Sequence, residues 1–120
     1  MPSERMIKLL RILFWSAGVF AFVMAVLPHP PQVPGAPTDK IQHVLAFTCL
    51  ALLGSAAYPR LSPLRLIVGL SAFGALIEVV QMIPALHRDA EALDWMADTA
   101  ATIAIVLAVY LWRRTRKTAS

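Results

Sequence analysis

The chain has 120 residues, 58% of them hydrophobic and only 15% charged, with a net charge of +4 and a mean hydropathy of +0.66. An ordinary soluble domain carries roughly 25% charged residues, so this composition excludes a small water-soluble globule and a disordered chain alike. A lone cysteine, Cys49, excludes a disulfide scaffold.

Four apolar segments follow one another, and a single domain over residues 1–120 is expected. The first covers about residues 7–27, with Arg5, Lys8 and Arg11 at its start. About 21 residues of helix reach roughly 30 Å, enough to span a bilayer. A signal peptide is the rival reading, but no A-x-A-like cleavage site followed by a soluble domain is evident. Pro28 and Pro30 stop the segment, and residues 28–38 are expected to form a stiff proline-rich loop.

The second segment covers about 41–58, with Thr38 or Asp39 as its cap and Pro59 and Pro63 breaking the chain behind it. The third runs over 64–83 and ends at Pro84, and the fourth runs over 92–112. No strand-like alternation and no repeat compete with this layout. The expected fold is all-α, a four-helix transmembrane bundle.

Charge placement predicts orientation. With four spans, Arg5, Lys8, Arg11, Arg60 and Arg65 fall on the same side as the tail's Arg113, Arg114, Arg116 and Lys117. Only Lys40 and Arg88 fall on the other. The positive-inside rule then puts both termini in the cytoplasm. The tail reads as an orientation anchor with a secondary attraction to anionic lipid, not as a nucleic-acid face. Trp15, Tyr58, Trp95, Tyr110 and Trp112 lie near span ends, as an interfacial belt would.

The seven acids are just as uneven, since only Glu4 lies on the basic side. Glu78, Asp94 and Asp98 fall inside helical segments, where an ionisable group costs about 2.5–3.5 kcal/mol at the bilayer centre unless it faces a cavity or a partner. Glu78 and Asp98 lie roughly 9 Å below the outer helix ends, and His43 slightly shallower. Asp39 and His43, Glu78 and Gln81, and Asp94 and Asp98 each share a helix face. Turned toward one another, these pairs make a shared pocket open to the outside and rimmed by Lys40, His87 and Arg88.

Small residues predict close packing below the pocket: Ala97, Ala101, Ala104 and Ala108 on the fourth segment, and Gly69, Gly74 and Ala75 on the third. Cys49 is expected as a small apolar filler, and Thr99 and Thr102 as bonded back to their own helix.

The same residues carry a resemblance. Asp39-Lys40 with His43 resembles the D-K-x-x-H motif of VanZ-like membrane proteins, and Glu78 with Gln81 resembles their E-x-x-Q. Arg88, Asp94 and Asp98 resemble the R…D…N motif entering the fourth helix, although position 98 is Asp where the family usually has Asn, and position 101 is Ala where it usually has Gly. The motifs cover about residues 38–101. The resemblance implies a small multi-pass protein of the bacterial cytoplasmic membrane, in a family named for a member linked to low-level teicoplanin resistance.

Position suggests that the pocket binds or acts on a lipid-linked or cell-envelope headgroup. Asp39, Lys40, Gln81, Arg88 and Asp94 are the expected binding residues. Glu78, His43 and Asp98 are the candidates for moving a proton. The alternative is a non-catalytic structural or partner-docking protein whose buried charges fix helix packing. His43, Glu78, Asp94 and Asp98 also offer ligand chemistry for a divalent cation, but no strict metal-ligand spacing appears, and no metal or other cofactor is expected. P-loop, dinucleotide-binding and G-x-S-x-G patterns are absent from the sequence.

Overall fold

Each predicted segment is a helix. The computed structural model describes residues 3–27, 39–84 and 92–119, which form α1 (Glu4–Val26), α2 (Asp39–Ala57), α3 (Pro63–Gln81) and α4 (Ala92–Ala119). The Ser3 side chain accepts a hydrogen bond from the Met6 amide at 3.1 Å and so caps α1. Leu27 is extended, as a residue before proline tends to be, and α1 ends there. Ser62 caps α3 by accepting from the Arg65 amide at 3.2 Å. Pro63, expected as a breaker, is instead the first residue of α3, where its missing N–H costs nothing. Beyond the predicted end at Trp112, α4 continues to Ala119.

Around the bundle the helices run in the order α1, α2, α4, α3. Packing is extensive between α1 and α2, α2 and α4, and α4 and α3, and sparse between α1 and α3. The core is centred on α2, where Phe47, Leu50 and Ala51 meet Leu66, Leu70 and Ile77 of α3 and Val106 of α4. The start of α1, the α2–α3 turn and the end of α4 share one end of the bundle, called here the terminal end.

The outer surface is apolar. Phe20, Leu64 and Met82 are each about two-thirds exposed, with many other large apolar side chains around them. A soluble monomer rarely exposes such a continuous apolar coat. Three helices, α1, α3 and residues Ala92–Lys117 of α4, are long and apolar enough to cross a membrane. The apolar stretch of α2, Ile41–Ala57, is shorter. The chain is a compact helical bundle of membrane-protein character.

Close packing follows the prediction in part. A Cβ on Gly74 would sit 3.3 Å from both Phe47 and Trp95, and one on Gly54 would sit 2.9 Å from Leu66 and 3.0 Å from Phe14. Gly69 does not pack as expected, because a Cβ there meets nothing within 4 Å. The buried stripe of α4 is Asp98, Thr102 and Val106, while Ala104 and Ala108 are exposed. Cys49 is exposed, not a core filler. Thr102 bonds back to the Asp98 carbonyl at 2.8 Å, as expected, but the Thr99 hydroxyl meets that of Ser71 across the α3–α4 interface at 3.0 Å.

Candidate functional site

At the end opposite the termini, α2 and α4 begin side by side. His43 lies one turn into α2, and Asp98 lies on the buried face of α4. His43 Nδ1 is 3.6 Å from Asp98 Oδ2, with Asp98 only 2% exposed. The carboxylates of Asp98, Asp94 and Glu78 all act electrostatically on the imidazole. Both Glu78 side-chain oxygens are buried. The structure therefore brings His43 and Asp98 together across α2 and α4, with the buried Glu78 carboxylate on the neighbouring α3.

Gln81 is also buried, at 3% exposure, but reaches a different neighbour. Its Nε2 donates to the carbonyl of Ala25 in the last turn of α1 at 2.9 Å. The last carbonyls of a helix are left over by its own ladder, so Gln81 caps α1 from α3. Asp98 Oδ1 and Gln81 Oε1 are buried and have no hydrogen-bond partner among the described residues. Arg88 lies outside the described residues, as do the side chains of Asp39 and Lys40, although both belong to the first turn of α2. Among the described residues no three histidine, cysteine or carboxylate groups come together as a metal site.

One layer deeper, the cluster rests on aromatic packing. Phe47 lies one turn below His43, and Gly74 lets Phe47 and Trp95 approach α3. Trp95 donates its indole N–H to the Ser71 carbonyl at 3.0 Å. Trp95 is thus a helix-packing residue, whereas Trp15, midway along α1 instead of near its end, and Trp112 are exposed. Sequence reasoning passed over Ser71, whose hydroxyl and carbonyl both tie α3 to α4.

A second set of polar contacts was equally hidden. Arg11 of α1 donates to the Ala57 carbonyl at 3.0 Å, and Arg113 of α4 donates to the buried Ser55 carbonyl at 2.8 Å. Both carbonyls belong to the last turn of α2, which has no basic residue of its own. Two arginines that read as orientation anchors therefore also cap α2.

Compared with protein-family models, curated proteins and solved structures, the chain finds no match in any of the three.

Proposed function

We propose that the chain is a multi-pass protein of a bacterial cytoplasmic membrane, with both termini cytoplasmic, in which the His43–Asp98 pair and the acids around it fix how the helices pack. One observation carries this reading: an imidazole and a carboxylate face each other at 3.6 Å in the interior, one from each helix. Inside a membrane such groups gain most from one another, because lipid offers no substitute partner. Basic residues clustered at the terminal end support the orientation.

A double-mutant cycle tests the packing role. His43→Leu and Asp98→Leu should each destabilise the purified protein by about 3–5 kcal/mol, since each leaves a buried polar group behind. The double apolar variant His43→Leu/Asp98→Leu should recover most of that loss. Losses that simply add would sink the proposal. Thermal unfolding in detergent reads all three.

A second reading is favoured by the buried Asp98 Oδ1 and Gln81 Oε1, which lack protein partners among the described residues. Here the chain is a VanZ-like envelope protein whose pocket faces outward and takes a lipid-linked or cell-envelope headgroup, linked to teicoplanin resistance. Lys40, His43 and Arg88 meet its phosphate or carboxylate, and Glu78 or Asp98 exchanges a proton. Expression in a susceptible host should raise teicoplanin tolerance. Glu78→Gln and Arg88→Ala should abolish that rise while the protein still accumulates. Tolerance unchanged by wild type, or by loss of these groups, counts against it.

A further inference from the structure

The loosest seam of the bundle lies between α1 and α3, and it is an open groove. Its volume is about 660 Å³, within the range of ligand clefts. The walls are apolar, with Phe14, Val19 and Phe22 on one side and Leu70, Phe73 and Leu76 on the other. Leu50 of α2 forms part of the lining, and no side chain fills the groove from Gly69. Phe22 and Phe73 approach across the seam with ring centroids 6.3 Å apart. From Arg65 to Leu76 the groove follows α3 for about 16 Å, close to half of the ~30 Å hydrocarbon core, which is the depth of one leaflet.

The groove changes character at the terminal end. Among the described residues Arg65 is the one charged residue that lines it, and Tyr58 and Leu61 form a shared wall with a second cavity. That second cavity, about 820 Å³, is lined by Lys8, Arg11 and Arg60, with Glu4 as the single acid among the described residues. Arg11 is held at the boundary: its guanidinium carbon lies 4.6 Å over the Tyr58 ring while its Nε bonds to α2. Trp15 donates to the Tyr58 hydroxyl at 2.8 Å and fixes the other side of that wall.

An apolar slot one leaflet deep that opens into a cationic chamber has the layout of an anionic amphiphile. We propose that this seam binds one anionic phospholipid, with an acyl chain in the α1–α3 groove and its phosphate among Lys8, Arg11, Arg60 and Arg65. Basic clusters beside membrane helices recognise such headgroups. A second copy of the chain fits less well. A two-fold axis along the membrane normal would press the same patch against itself and bring these cations face to face.

Native mass spectrometry of the full-length protein, stripped of lipid and titrated with defined lipids, tests this. Dioleoyl phosphatidylglycerol should give one retained adduct, bound about tenfold or more tightly than dioleoyl phosphatidylcholine. Gly69→Leu should fill the groove and abolish the adduct, with helicity and melting temperature kept. Lys8→Gln/Arg60→Gln should reduce phosphatidylglycerol to the phosphatidylcholine level, whereas Arg114→Gln/Arg116→Gln, at the end of α4, should not. Equal retention of the two lipids by wild type overturns the proposal whatever the variants do. So does a Gly69→Leu protein that keeps the adduct. Displacement of the lipid by inorganic phosphate would make the chamber a free-anion site, and a lipid-free dimer dissolved by Gly69→Leu would make the seam a self-association face. Either result replaces the phospholipid.

Discussion

Gly69 and Gly74 stand on one helix five residues apart and play opposite parts. The space at Gly74 is set by two rings that cannot retreat easily: Phe47 is fully buried, and Trp95 is tied to Ser71. An added methyl there, at 3.3 Å from both, overpacks the joint between α2, α3 and α4. Gly74→Ala should therefore lower the melting temperature, at an overpacking cost of about 1–3 kcal/mol against a helix-propensity gain of up to about 1 kcal/mol. Gly69→Ala adds its methyl to open space and should leave the melting temperature unchanged or raised. Thermal unfolding of the two variants side by side checks the contrast. The sequence alone treats both glycines as members of one small-residue stripe. Helical spacing reports which face a residue occupies, whereas the size of the opposing side chain decides whether the space is needed. Asp98 was more legible than either glycine. An acid within an apolar helix has few tolerable surroundings, and His43 stands at a matching depth on another helix.

Among the elements, α2 holds the centre of the core. Its last carbonyls are satisfied by its neighbours: Ala57 by Arg11 and Ser55 by Arg113. A hydrogen bond from a charged donor contributes about 1.5–3 kcal/mol, so Arg113→Ala should cost near that range. Arg114 packs over Tyr110 at 5.8 Å on an exposed face, and Arg114→Ala should cost less than about 1 kcal/mol. Denaturation of both variants in the same detergent distinguishes capping from surface charge. The end of α1 was readable, because Pro28 follows Leu27, whereas the caps Ser3 and Ser62 set helix starts that the apolar runs alone place later. The end of α4 was not readable. The apolar run stops at Trp112, but arginine and lysine are good helix formers, and Arg116 stacks over Trp112 at 4.9 Å one turn on.

For the molecule as a whole, membrane character was legible from composition, because an apolar coat this extensive needs more hydrophobic residues than a core can absorb. The neighbour order α1, α2, α4, α3 was not, because periodicity assigns faces to helices without pairing them. The orientation proposed above has a direct check. In a Cys49→Ala background, a cysteine at Val33 should react with a membrane-impermeant maleimide in intact cells, and one at Ser120 only after permeabilisation. The reverse pattern would invert the bundle, and labelling of both from outside would leave an odd number of crossings.

The capping of α2 also has a consequence for synthesis. Ribosomes release α2 well before Arg113 of α4 is added. Until Arg113 of α4 is in place, the Ser55 carbonyl has no guanidinium to meet, and α2 waits with a polar end exposed to the bilayer edge. Closure of the bundle therefore waits for the last turns of α4. A product truncated before Arg113 would present quality-control proteases with an open helix end, whereas the full-length protein would conceal it.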